Sequence, residues 1–379
     1  MNIEKINEHD LSGQDQTKSK SFLLILLCLY IFLLIDRPWE SISYVYGWRI
    51  QFCFAILMVF VAVFTGRLTV RQAPTNFWVF GLLAIHFLLA PFAFSPSGAV
   101  GQGYEYFKIV LLYLLIVSVA DDEADLKTLL KAYALSTVLY TLHSLWEYSN
   151  GRCEYRMGIV RMLGVGEVHS NPNAFGASLV LSIPLVFVLA KFELVKWLRW
   201  LWYGYLVVLV PVCVVLTGSR SAFVTMLLCG LIGVWTLKGS RKYLGLAFAL
   251  AVVVVGWHYM PEEKQERIQT LWNQDAGPAN AHESSRGRLE GFLISIEMFK
   301  QRPFTGVGAG GENYIGYRVA MGEPAFQAHN LYGEVLAEFG ISGAFFFNGS
   351  GVGNMEGLHP DSQRFSSTRQ YAILFPNFG

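Results

Sequence analysis

Residues Ser285 to Phe347 read SRGRLEGFLISIEMFKQRPFTGVGAGGENYIGYRVAMGEPAFQAHNLYGEVLAEFGISGAFFF, and this stretch decides how the rest of the chain is understood. It begins with two arginines, Arg286 and Arg288. Leu289, Phe292, Leu293, Ile296 and Phe299 then recur at helical spacing, with Glu290, Glu297 and Lys300 mostly off their face. Such a helix lies along a bilayer surface or against other helices. Pro303 ends it, and the glycines of Gly306-Val307-Gly308-Ala309-Gly310-Gly311 admit turn conformations that other residues resist. A His329-Asn330 pair then opens an apolar helix. The pattern is a polar site followed by a membrane anchor.

The whole chain agrees with that reading. Its 379 residues are 53% hydrophobic and only 15% charged, with a mean hydropathy of +0.40. A soluble globule of this size needs more charge to coat it, so the chain is an all-α integral membrane protein, a polytopic helical bundle. A net charge of +1 excludes the basic face of a nucleic-acid binder, and no nucleic-acid partner is expected. Cys28, Cys53, Cys153, Cys213 and Cys229 lack metal-ligand spacing and read as packing residues. No small-residue cleavage site follows Leu23 to Ile35, so that run is a retained first span.

A helix needs roughly 20 apolar residues to cross the hydrocarbon, fewer where interfacial aromatics finish the crossing, and on that criterion there are about ten spans. They fall near 22–35, 50–65, 77–94, 106–120, 129–147, 174–191, 197–216, 222–237, 243–259 and 331–347. The expected organisation is an N-terminal tail (1–20), a transmembrane bundle (21–259), a loop region with an amphipathic helix (260–328), a final interrupted span (329–347) and a polar tail (348–379). The abrupt polarity after Phe347 reads as a disordered tail of a truncated or frame-shifted product. Most lysines and arginines fall on the side of the N-terminus, which the positive-inside rule makes cytoplasmic. Arg152, Arg156, Arg161, Arg220, Arg286 and Arg288 are the outer exceptions, and an outer anion would explain them. Pairing of the loop arginines with Glu154 and Glu167 is the plainer alternative.

Three short motifs each open a span at its outer end: Asn171-Pro172-Asn173, Thr217-Gly218-Ser219-Arg220-Ser221 and His329-Asn330. Proline suits the first helical turn, and Asn171, Ser219 or Ser221, and Asn330 are good N-caps. The positive ends of several helix dipoles therefore point outward, where free backbone N–H groups and a neighbouring arginine suit a diphosphate. Asn171, Asn173, Ser219, Asn330, Arg161 and Arg286 are the candidate binding residues around it. No outer acidic pair has metal-binding spacing, so arginine rather than a metal is expected to neutralise the phosphates, with no cofactor. His329, whose ordinary pKa suits proton transfer near neutrality, is the general-base candidate.

Gly287-Arg288, Pro303 with Gly306-Val307-Gly308, His329-Asn330-Leu331-Tyr332 and Glu338-Phe339-Gly340, together with the Thr217 to Ser221 and Asn171 to Asn173 motifs, resemble the O-antigen ligase and O-antigen polymerase family over roughly Leu163 to Phe347. Phe292 stands where that family usually has tryptophan. The resemblance implies a C-type membrane glycosyltransferase with a periplasmic helical loop region, acting without metal in the bacterial inner membrane. It would move a glycan from an undecaprenyl-diphosphate carrier to a glycan or lipid A-core acceptor. By the same resemblance Arg220 and Arg288 hold the diphosphate and His329 activates the acceptor hydroxyl. A polymerase or protein O-oligosaccharyltransferase differs only in acceptor. A transporter of lipid-linked sugars, suggested by His86, His143 and Glu147 in or beside spans, would require an inverted repeat that the sequence does not display. An inactive remnant is the third alternative, suggested by the tail.

Overall fold

The computed structural model describes residues 3–41, 44–45, 48–70, 74–156, 159–166, 170–258, 261–269 and 279–356. In chain order the helices are α1 (Ile3–Asp36), α2 (Ile50–Phe64), α3 (Pro74–Leu89), α4 (Pro96–Val119), α5 (Glu123–Ser149), α6 (Pro172–Phe192), α7 (Lys196–Gly204), α8 (Val210–Thr217), α9 (Arg220–Trp235), α10 (Ser240–His258), α11 (Glu262–Gln269), α12 (Ala279–Gln301), α13 (Gly311–Ala320) and α14 (Leu331–Glu356). Between α5 and α6 the chain forms an antiparallel hairpin, β1 (Cys153–Arg156) paired with β2 (Ile159–Met162), in which Glu154 faces Arg161. The helical expectation holds for most of the described residues, and this hairpin is the exception to it. Four-residue strands are too short to leave an alternation that sequence reading can separate from a loop.

Five described helical segments are long and apolar enough to cross a membrane: 20–40, 75–92, 96–119, 172–192 and 196–217. α2 and α9 are apolar but shorter. The span 196–217 joins α7 to α8 through a π-helical turn at Tyr205–Leu209. Pro211 lies one turn further on and lacks the N–H that regular bonding needs, a setting in which such widened turns occur.

The described residues group into two compact units, Met1–Val70 with Leu114–Ser284, and Arg71–Tyr113 with Ser285–Gly379. The core of the first is built by α5, α6 and α8 around Phe175, Leu179, Val186, Trp202, Tyr205 and Cys213. One end of this unit is tied by charge: Lys20 Nζ meets Asp125 at 2.7 Å and Asp121 at 3.4 Å, and Arg67 lies 3.8 Å from Asp121. These residues lie where the positive-inside argument groups the expected span ends on one side. Asp122 caps α5 by accepting from Asp125 N–H at 2.8 Å.

In the second unit α3 packs along α14, with Phe77 and Trp78 against Phe345 and Phe346. A separate core gathers Met298, Val307, Tyr314, Ala328 and Ala337. The buried stripe of α12 is Gly291, Ser295 and Met298, whereas Leu289 and Leu293 stay 62% and 56% exposed. Small residues let backbones approach inside the protein, and the large apolar side chains face outward as they would toward lipid. α14 runs on past Phe347 to Glu356, beyond the point where polarity suggests that order ends; residues 357–379 lie outside the described residues.

Candidate functional site

Asn171, Ser219 and Asn330 are all N-caps. Asn171 Oδ1 accepts from Asn173 N–H at 2.8 Å with Pro172 at the first helical position, Ser219 Oγ accepts from Ala222 N–H at 3.5 Å, and Asn330 Oδ1 accepts from Gly333 N–H at 3.0 Å. Each side chain takes one of the donors that a helix start leaves open. Arg220 is the first residue of α9 and half-buried.

The first unit brings Arg161, Asn173, Thr217 and Ser219 together. Arg161 is 3% exposed, and each of its nitrogens is engaged: Nε–H donates to the Thr217 carbonyl at 2.9 Å, one terminal nitrogen donates to Asn173 Oδ1 at 2.8 Å, and the other lies 3.5 Å from Glu154 Oε2. The fork thus clasps the start of α6 to the end of α8, and the pairing with Glu154 matches the plainer alternative for this arginine. Gly176 makes the close approach possible, since a Cβ there would lie 2.9 Å from the Ala222 side chain.

The turn between α8 and α9 is fully bonded at its carbonyls. Val214 O accepts from Thr217 Oγ1 at 2.7 Å, and Val215 O from the N–H of Gly218, whose φ of +61° is left-handed. Leu216 O accepts from Lys264 Nζ at 3.1 Å and Thr217 O from Arg161. Lys264, on α11, is 5% exposed and lies 6.0 Å from the Tyr148 ring. Burial pushes its amine down from the ordinary 10.5 to about 8, an effect that Glu263 opposes and Arg161 reinforces. Sequence reading overlooks Lys264, because a lysine inside Glu262-Glu263-Lys264-Gln265-Glu266 looks like one more solvated charge.

In the second unit His329 has φ +50°, an uncommon left-handed conformation for a residue other than glycine, and its side chain is exposed. Ala328, beside it, packs on α12 so closely that a Cβ on Gly291 would lie 2.6 Å from the Ala328 carbonyl oxygen. His329 is one residue from that contact and the exposed Arg288 is three residues from it along α12. The Arg286 and Arg156 side chains, and Glu167, lie outside the described residues.

The glycine turn has a partner that sequence reading did not supply. Val307 N–H donates to Ala337 O at 2.8 Å and Gly308 N–H to Glu338 O at 3.0 Å, while Gly310 N–H bonds the buried Glu338 carboxyl. This strand-like pairing occurs where α14 breaks: Gly340 has φ +63° and ψ −152°, and Ile341 N–H donates to Pro303 O at 2.8 Å. His86, a transporter candidate in the sequence, stacks on Tyr106 at 4.7 Å with Nδ1 2.8 Å from Leu82 O, and His143 lies 3.9 Å from Glu147 one turn away. The first packs α3 on α4, and the second is a pair along the surface of α5. Among the described residues no three His, Cys, Asp or Glu side chains gather as a metal site would require.

Residues 204–348 match the family described as O-Antigen ligase, so this part of the chain is similar to that family. The match takes in Arg220, Arg288 and His329; the Asn171 to Asn173 motif lies before it. No curated protein and no solved structure matches the chain.

Proposed function

We propose that the protein transfers a glycan from an undecaprenyl-diphosphate carrier to an acceptor hydroxyl at the outer face of the bacterial inner membrane. The O-antigen ligase domain and the membrane-spanning helices support the general class, a ligase or polymerase acting on lipid-linked glycan within a membrane. The observation that carries the finer reading is Arg220 at the capped start of α9, where a guanidinium and a helix dipole favour the same anion.

Arg220 and Arg288 are assigned to the diphosphate and His329 to the acceptor. His329 takes the hydroxyl proton, the oxygen attacks the anomeric carbon, and the bond to the lipid diphosphate breaks as the arginines stabilise the charge that develops on it. One displacement inverts the anomeric centre, and arginine does the neutralising that a metal does elsewhere. Asn171, Ser219 and Asn330 orient the helix starts through their caps, and Asn173 does so through its bond to Arg161.

Transfer measured with the purified full chain in micelles tests this. Arg220→Ala and Arg288→Ala should each lose roughly 10 to 150-fold, the equivalent of about 1.5 to 3 kcal/mol for a charged hydrogen bond. His329→Ala should lose roughly 100 to 10,000-fold. Full activity in all three variants would remove the proposal. Product analysis separates acceptors: a single transfer to lipid A-core marks a ligase, and lengthening of the glycan marks a polymerase.

A further inference from the structure

We infer that Lys264 is a positioning residue for the Arg220 turn: by bonding the Leu216 carbonyl it fixes the end of α8, and with it the direction in which α9 begins. The inference rests on the assignment of Arg220 to a lipid diphosphate. A helix leaves its last four carbonyls without intrahelical partners. At α8 two of the four are closed locally, by Thr217 Oγ1 and Gly218 N–H, and two by long cationic side chains from elsewhere in the sequence, Arg161 on β2 and Lys264 on α11. Cations at this end also suit the helix dipole.

The two clasps differ in kind. Arg161 is held at all three nitrogens and stays charged at any working pH. Lys264 reaches in from a helix whose neighbouring residues Glu262, Glu263, Gln265 and Glu266 are polar, yet it is itself buried. The groups facing it are the Leu216 carbonyl and the Tyr148 ring, with Arg161 and its partner Glu154 across the turn and Glu263 on its own helix. An amine in that setting loses its proton near pH 8, and a neutral amine holds a carbonyl less firmly than an ammonium does. Donor binding at Arg220 therefore weakens as pH rises through that value.

The test is titration of the full chain in micelles with undecaprenyl diphosphate between about pH 6.5 and 10, with melting temperature recorded for each variant. The wild type should bind roughly tenfold more weakly at the alkaline end. Lys264→Arg keeps its charge and should bind like wild type at neutral pH, with the alkaline weakening removed. Lys264→Gln should bind weakly and without pH dependence while remaining folded. The inference fails if Lys264→Gln keeps the wild-type affinity and pH profile, or if Lys264→Arg shows the same alkaline weakening as wild type. Arg220→Ala separates the two layers: if it too binds like wild type, the diphosphate assignment falls; if it alone loses binding, only the role of Lys264 falls.

Discussion

At the scale of single residues, the most informative groups are those that complete someone else's bonding. Arg161 joins three elements through three nitrogens, which a lysine cannot reproduce because it lacks the planar fork. Arg161→Lys should destabilise the first unit by about 2 kcal/mol, since the buried Thr217 carbonyl would be left poorly paired. Loss of chemical or thermal stability smaller than that of a surface substitution such as Lys300→Ala would contradict it. The caps were legible from sequence because Asn171, Ser219 and Asn330 are short polar residues placed just ahead of apolar runs, and capping is local chemistry. Lys264 was not, because its partner is a backbone carbonyl 48 positions earlier and no side-chain pattern announces a carbonyl.

At the scale of elements, α14 carries a fault that the sequence conceals. Leu331 to Phe347 reads as one apolar run, yet Gly340 turns the backbone to φ +63° and the glycine loop bonds across the gap. The Glu338-Phe339-Gly340 triplet holds the only hint, and only its glycine has a conformational meaning. A Cβ on Gly340 would collide with the Pro303 carbonyl, so Gly340→Ala meets both a steric and a dihedral penalty. A loss of about 1 to 3 kcal/mol is expected, seen as a melting temperature several degrees lower. Gly101→Ala is the control, because nothing lies within 4 Å of a Cβ there and the residue is helical. It should be neutral or slightly stabilising; equal effects in the two variants would mean that the break in α14 is not under tension. The apolar period of α12 gave the helix correctly but not its buried face, because next to lipid the greasy side faces out.

For the molecule as a whole, composition was enough to place the chain in a membrane, since charge content is a global quantity that local errors cannot disturb. The number of crossings is harder to read, because α5 carries polar residues along much of its length while α2 and α9 are short. Sidedness is the property on which the proposed chemistry depends, and it can be measured directly. In a chain whose native cysteines are replaced by serine, Glu323→Cys should react with a membrane-impermeant maleimide added outside the cell membrane, and Glu123→Cys should react only after permeabilisation. The reverse pattern would place Arg220 on the cytoplasmic face and remove the outer-face transfer reaction.

The carbonyl end of α8 has a further meaning for turnover. All four acceptors are already occupied by this chain's own donors, so the start of α9 that follows is set without help from a ligand. Catalysts gain when the dipoles that stabilise developing charge are set before the reaction begins. Under the proposed function Arg220, at the start of α9, is then in place before the headgroup arrives, so the entropy of loading falls on the lipid carrier rather than on the protein.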